Sequence, residues 1–461
     1  MQLDRRDFIR TGLLSVGGLF GLSGLTARAG LNASALDRHA ANGDGGYGDP
    51  VPTATRNTGE KLLALPPGFE YVAFGKTGDK MSDGRATPEL HDGMAAFLYQ
   101  GKVRLVRNHE VRAKASRAIG DRVESYDPSA GGGTTTLEID PKTRELVRDW
   151  VSLSGTIVNC AGGSTPWGTW LSCEETTVGK DGGQVYHKDR EVTEKFEREH
   201  GYIFEVPVSG NGAVTPTPIK AMGRFVHEAT AVDPASGIVY LTEDIGSAGF
   251  YRFIPDVPAQ LAKGGRLQML RIRELPDADT RRKFGARARQ PLACDWVDIA
   301  DPDPANAEKE PLAVFQQGKA KGGTTFGRLE GCWYGDGAIY INSTDGGDAR
   351  AGQVWKYLPI GMDGGELTLL FESPNAEVLD APDNICISPR GGIVLCEDGG
   401  GQNFVRGLLP DGRIFTFAAN ILNDSETAGA CFSPDGQTLF LNIQTPGITL
   451  AIWGPWERGA W

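Results

Sequence analysis

Short apolar runs alternate with turn-forming phrases along most of the chain, and the phrases themselves recur. They read Asp140-Pro-Lys-Thr-Arg-Glu-Leu146, Asp233-Pro-Ala-Ser-Gly-Ile-Val-Tyr240, Ser388-Pro-Arg-Gly-Gly-Ile-Val-Leu395, Pro410-Asp-Gly-Arg-Ile-Phe415 and Ser433-Pro-Asp-Gly-Gln-Thr-Leu-Phe440. In each, Pro presets a turn dihedral or Gly takes a positive φ, and the β-branched or aromatic residues that follow open a strand, so each predicts a hairpin turn. Ser388 and Ser433 lie 45 residues apart, which fits the roughly 40–50-residue period of a four-stranded propeller blade. Dividing the chain by that period, with allowance for loops at 176–200 and 257–310, predicts an all-β fold, a six-bladed β-propeller with short helical excursions. Helical periodicity is scarce; only 256–290, with Leu261, Leu267, Leu270 and Leu275, suggests a short helix on the rim.

The two ends of the pattern differ. Residues 1–29 read as a twin-arginine signal peptide: Arg5-Arg6-Asp7-Phe8-Ile9-Arg10, an apolar run from Thr11 to Leu25, and Ala27-Arg28-Ala29 as a small-x-small cleavage signal. That run is too short to span a membrane stably. The reading predicts recognition by the twin-arginine export machinery, no stable membrane anchor, and a protein that is periplasmic or secreted. Residues 30–60 lack periodicity and read as an extended or poorly ordered lead-in. A single propeller domain is expected over 61–461.

Composition agrees with many short strands: 63 of 461 residues are Gly and 27 are Pro, without the strict spacing of collagen. A formal net charge of -12 gives no support to nucleic-acid binding. An acidic body accepts an anionic substrate only where metals or a local Arg reverse the field. Seven Cys is an odd number for an exported chain, so at least one thiol is expected unpaired, with Cys160 the candidate. Cys294, Cys332, Cys386, Cys396 and Cys431 lie in apolar, strand-like contexts that suit buried thiols.

Short acidic phrases stand at the edges of predicted strands: Asn108-His109-Glu110, Glu174-Glu175, His227-Glu228, Glu243-Asp244, Glu330-Gly331, Asp383-Asn384, Glu397-Asp398 and Glu426-Thr427. In a propeller such edges converge on the axis, so they predict a central metal-binding channel ringed by oxygen ligands. The hairpin Asn159 to Glu175 adds a thiol, Cys160, to that set, and a soft sulfur beside hard oxygens suits a transition metal near calcium. Other chemistries fail. No His-Glu-x-x-His or Gly-x-Ser-x-Gly motif occurs, Gly131-Gly132-Gly133 lacks the Lys of a phosphate loop, and Asp345-Gly-Gly-Asp348 lacks the spacing of a helical calcium loop. Six His, three of them at His39, His187 and His200 in unpatterned segments, do not build a zinc centre.

The hairpin Asn159-Cys-Ala-Gly-Gly-Ser-Thr-Pro-Trp-Gly-Thr-Trp-Leu-Ser-Cys-Glu-Glu175 resembles the signature hairpin of the PhoX-type alkaline phosphatases. Gly223-Arg-Phe-Val-His-Glu228, Arg328-Leu-Glu-Gly331, Glu426-Thr-Ala-Gly429 and the stretch from Ser433 to Gly447 are similar to further phrases of that family, so the likeness runs from about residue 60 to 450. The resemblance implies an exported six-bladed propeller with ferric iron and calcium in the channel, hydrolysing phosphate monoesters. It implies that Cys160 ligates iron, that Glu228 and Glu330 are further metal ligands, and that Glu110, Glu174, Asp383 and Glu426 supply oxygens, chiefly to calcium. Arg328 would face the substrate phosphate, its planar fork matching the phosphoryl oxygens. Adjacent cations would neutralise the phosphate and generate an oxide or hydroxide nucleophile at mild pH. The chain departs from the family in having no Lys between Trp150 and Cys160, so any second basic phosphate contact must come from elsewhere. Two other readings are a calcium-dependent propeller lactonase or esterase, and a non-catalytic exported propeller that binds a ligand, with Arg328 paired to an acidic neighbour.

Overall fold

A computed structural model describes residues 45–461 apart from 113–118, 121–123, 181–182 and 188–189. The expected signal peptide at 1–29, and the lead-in as far as 44, lie outside the described residues. β1 (Val51–Thr53), β2 (Leu63–Leu65) and β3 (Glu70–Phe74) are donated to sheets formed by the far end of the chain. β4 (His91–Tyr99), β5 (Lys102–His109), β6 (Gly132–Ile139) and β7 (Leu146–Thr156) form an antiparallel meander. β8 (Asn159–Ser164) and β9 (Thr169–Glu174) pair, and after a separate hairpin of β10 (Gly183–His187) and β11 (Arg190–Glu194) the chain adds β12 (Ile203–Pro207). β13 (His227–Val232), β14 (Val239–Glu243), β15 (Tyr251–Pro255), β16 (Gly265–Ile272) and β17 (Leu292–Asp298) follow in order. After one α-helix, α1 (Ala313–Lys319), comes a meander of β18 (Leu329–Gly335), β19 (Ala338–Ser343), β20 (Gln353–Ile360) and β21 (Gly364–Glu372), joined to the previous sheet through β17 and β21. β22 (Pro382–Ile387), β23 (Ile393–Glu397), β24 (Phe404–Leu408) and β25 (Ile414–Asn420) are extended by β2 and β1. The last sheet joins β26 (Thr427–Phe432), β27 (Leu439–Ile443) and β28 (Ile448–Trp453) to β3.

The arrangement is propeller-like. The first strands of successive sheets, β4, β8, β13, β18, β22 and β26, pack side by side, and β26 returns to β4 so that the ring closes. All five recurrent phrases lie at hairpin turns, between β6 and β7, β13 and β14, β22 and β23, β24 and β25, and β26 and β27. Apolar clusters fill the spaces between neighbouring sheets. Trp333 on β18 packs against four separate clusters at once, which places its ring where the sheets converge.

Two expectations change, and that of buried thiols holds. The folded part begins before Lys61: β1 pairs with β2, and the buried Tyr47 hydroxyl donates to the Trp461 carbonyl at 2.9 Å and accepts the Trp461 N–H at 2.8 Å. The leucines of 256–290 do not share a helix, because Leu267 and Leu270 lie on β16 and bury opposite faces of it, and only 3₁₀ turns at Leu261–Lys263 and Gly285–Arg287 are helical there. All seven Cys are buried without a disulfide, so desolvation protects the thiols in place of cross-linking.

Ring strands approach so closely that two neighbours depend on glycine. A Cβ on Gly331 would stand 2.7 Å from the Asp383 carbonyl oxygen and the Ile385 nitrogen, and one on Gly93 2.5 Å from the Ala161 Cα. Backbone cannot yield as a flexible side chain would. Gly331→Ala is therefore expected to destabilise the fold by about 1–3 kcal/mol, the usual range for overpacking, measured by urea unfolding against the parent chain.

Candidate metal centre

Each ring strand carries a β-bulge, and all the bulges fall near the same end. The ladder slips between His91 and Met94, Asn159 and Gly162, His227 and Thr230, Leu329 and Cys332, Pro382 and Ile385, and Ala428 and Cys431. The displaced pairs are Asp92-Gly93, Cys160-Ala161, Glu228-Ala229, Glu330-Gly331, Asp383-Asn384 and Gly429-Ala430. A bulge re-aims the side chain and strips its carbonyl of a ladder partner. Side chains on the second strand of the preceding sheet satisfy those carbonyls: Asn108 Nδ2 donates to Cys160 O at 3.0 Å, Thr242 Oγ1 to Glu330 O at 2.6 Å, Asn342 Nδ2 to Asp383 O at 2.6 Å and Asn442 Nδ2 to Asp92 O at 2.7 Å. Four of the six bulges are thus fixed by a neighbouring sheet.

The re-aimed side chains converge with acids from the ends of the second strands and with Glu426, which precedes β26. Four overlapping groups have ligand atoms within 4.8 Å of one another: Cys160, Glu175 and Glu228; Glu228, Glu330 and Asp383; Asp383, Asp398 and Glu426; and Asp92, Glu110 and Glu426. Two carboxylates 4.8 Å apart repel by about 3 kcal/mol at an effective dielectric of about 20, and this site gathers eight with one thiol. Burial, with Glu330 and Glu175 nearby, pushes the Glu228 carboxyl well above its ordinary range, and burial with Glu228 does the same to the Cys160 thiol. Glu228 Oε2 is buried without a hydrogen-bond partner. An orphaned carboxylate oxygen among converging acids fits a group of bound cations: hard oxygens suit calcium, and the group containing Sγ suits a softer transition metal.

Of the residues expected from sequence, Cys160, Glu110, Glu228, Glu330, Asp383 and Glu426 all join these groups. Glu174 does not. Its carboxylate is buried and taken up by the Ile157, Gly201 and Tyr202 N–H groups at 2.9–3.1 Å and by His200 Nδ1 at 2.7 Å. His200 pairs on its other side with Asp127 at 3.4 Å; burial opposes its charge, but Glu174 and Asp127 outweigh that and raise it to about 9. Glu175 takes the place expected of Glu174. The same division recurs wherever two acids end a second strand. Glu243 is buried on Gly249 N and Tyr251 Oη, and Glu397 on Asp380 N, Phe404 N and Arg406 Nε. The first acid of each pair braces loops; the second, Glu175, Asp244 or Asp398, belongs to the ring.

Arg328 is also at the ring, but it is buried and turned on carboxylates. Its Nε and Nη2 donate to Asp244 Oδ1 and Oδ2 at 2.8 and 2.7 Å, and Nη2 donates to Glu330 Oε1 at 2.8 Å. Its φ of 39° is left-handed, a strained setting for a long side chain that the surrounding bonds must hold. Asp92 was not among the expected ligands, Glu175 and Asp398 were expected only as members of their acidic phrases, and Asp244 was not expected as the partner of Arg328. Asp92-Gly93 has the same acid-then-small form as Glu228-Ala229 and Glu330-Gly331, and that repeated pair was the available signal.

The model of the family described as alkaline phosphatase PhoX matches residues 49–447. No curated protein sequence matches the chain. Among solved structures, PhoX of Pseudomonas fluorescens in complex with vanadate, a transition state analogue, superposes with a TM-score of 0.64 at 18% identity, covering 90% of this chain and 99% of that one. A gluconolactonase of Xanthomonas campestris covers 88% of this chain and 99% of its own at 10% identity, with a TM-score of 0.41. The match over nearly the whole described chain, on a propeller whose bulged strands bring sulfur and carboxylates together, places this protein in the alkaline phosphatase PhoX family.

Proposed function

We propose that this phosphatase hydrolyses phosphate monoesters at the centre of a six-bladed propeller, with ferric iron held by Cys160, Glu175 and Glu228 and calcium held by the all-oxygen groups around Glu330, Asp383, Asp398, Glu426, Asp92 and Glu110. The observation that carries the reading is the convergence of the bulge side chains Asp92, Cys160, Glu228, Glu330 and Asp383 with Glu110, Glu175, Asp398 and Glu426, with sulfur at one end of the set. Bound cations supply charge neutralisation of the phosphate dianion and an activated nucleophile at mild pH, so no Ser or Thr nucleophile is required. Arg328, gripped side-on by Asp244, presents a fixed guanidinium to the phosphoryl oxygens, where a flexible Lys would have to be ordered at each turnover. Glu228 and Glu330 each serve the substrate region twice, as ligands and as the walls that orient Cys160 and Arg328.

The twin-arginine segment supports export to the periplasm or beyond. Among the described residues no helix is long and apolar enough to cross a membrane. The test is hydrolysis of p-nitrophenyl phosphate at alkaline pH by protein purified from its own host, run beside a lactone and a carboxylic ester. Phosphate-ester turnover with iron and calcium in the elemental analysis is expected. Lactone turnover with calcium alone, or no turnover at all, overturns the proposal in favour of a propeller lactonase or a binding protein.

A further inference from the structure

We propose that Arg112 is a second guanidinium that receives the substrate's phosphoryl group; the proposal rests on the metal-dependent phosphatase reading. The four ligand groups form an arc. It runs from Cys160 and Glu175 through Glu228, Glu330, Asp383, Asp398 and Glu426 to Asp92 and Glu110. Its ends face each other where the β4–β7 sheet meets the β8–β9 hairpin, and Arg112 stands in that gap. Its Nη2 donates to Glu110 Oε1 and lies 3.7 Å from Glu175 Oε2, so one guanidinium touches the terminal acids of two different groups. The backbone beside it is pinned, because Val111 N donates to His109 O at 2.7 Å and Val158 N to Val111 O at 3.0 Å. Its side chain is 21% exposed against 4% for Arg328, which puts Arg112 on the solvent side of the ring and Arg328 inside it.

Charge gives this placement its meaning. While Glu110 and Glu175 carry their own negative charge, Arg112 is their counter-ion. Once cations take those carboxylates, their negative charge is largely neutralised, the guanidinium loses its counter-ions, and an arriving anion becomes its best partner. A phosphate monoester dianion with three terminal oxygens fits that need, and a planar fork can bind two of them together.

Arg112→Gln and Arg112→Lys, loaded with metal as the parent chain is, test the assignment. For Arg112→Gln, KM for p-nitrophenyl phosphate and the calorimetric Kd for inorganic phosphate are expected to rise about 10- to 100-fold, the range for one charge-assisted hydrogen bond, with a smaller change in kcat and unchanged metal content. Arg112→Lys, which keeps the charge, should recover part of the loss. If metal content or Tm falls while KM and phosphate affinity stay at parent values, Arg112 is only an internal counter-charge and the proposal fails. If Arg112→Gln does not fold, unchanged phosphate affinity in Arg112→Lys and in a charge-removing Arg112→Met chain overturns it equally. Absence of phosphate-ester turnover in the parent chain sinks the parent reading instead, and phosphate calorimetry then decides for Arg112 alone.

Discussion

Replacing Cys160 by serine is expected to remove the transition metal and at least about 100-fold of the turnover while the chain stays folded. Loss of a mere outer-shell partner commonly costs roughly 10–100-fold in metal affinity or activity, and a directly bound sulfur should cost no less. The site explains why the fold survives. Cys160 is buried, with Sγ 3.3 Å from His227 O and 3.4 Å from Glu228 O, so a serine hydroxyl of similar shape can donate to the same carbonyls. A serine hydroxyl stays protonated where a thiol is deprotonated by a bound metal, so it does not replace the anionic ligand. Elemental analysis, kcat on p-nitrophenyl phosphate and a thermal melt separate the effects. Iron and turnover both kept at parent levels would show that Cys160 is a packing thiol.

Stripping the cations with a chelator is the second large effect, and it falls on stability. Eight carboxylates and a thiol share overlapping groups with ligand atoms within 4.8 Å, so without counter-charge the ring strands push one another apart at the place where they pack most closely. Ions that bind only the folded chain stabilise it by about 4 kcal/mol each at a thousandfold excess over Kd. For a few such ions in a domain of this size, Tm should fall by on the order of 10 °C on chelation, and returning calcium should restore most of the shift without restoring turnover. A melt that ignores the chelator, with ions shown to be gone, would mean that the acids neutralise themselves by protonation or internal pairing.

Much of this was legible in the amino-acid order because turns and bulges have local chemistry. The Pro and Gly phrases at Asp233, Ser388 and Ser433 mark equivalent first turns of their sheets, and the acid-then-small pairs mark equivalent bulges. What was not legible is which of two adjacent acids faces the axis. Neighbours on a strand point opposite ways, so Glu174 and Glu175 differ only through pairing register and through His200, which arrives from 26 residues further on. Asp398 went unassigned beside Glu397 for the same reason. The spacing of Leu261, Leu267 and Leu270 suited a helix as well as a strand, and the pairing of β16 with both β15 and β17 decided it. The pairing of Arg328 with Asp244 depends on residues 84 apart in sequence, a separation no local pattern reports.

The joining of β3 to β28, and of Tyr47 to Trp461, sets the order in which the ring can be assembled. The group of Asp92, Glu110 and Glu426 draws on both the first and the last meander. The group of Asp92, Glu110 and Glu426 is therefore completed only when the β26–β28 meander has folded back onto β4, so a chain that lacks that meander cannot assemble it.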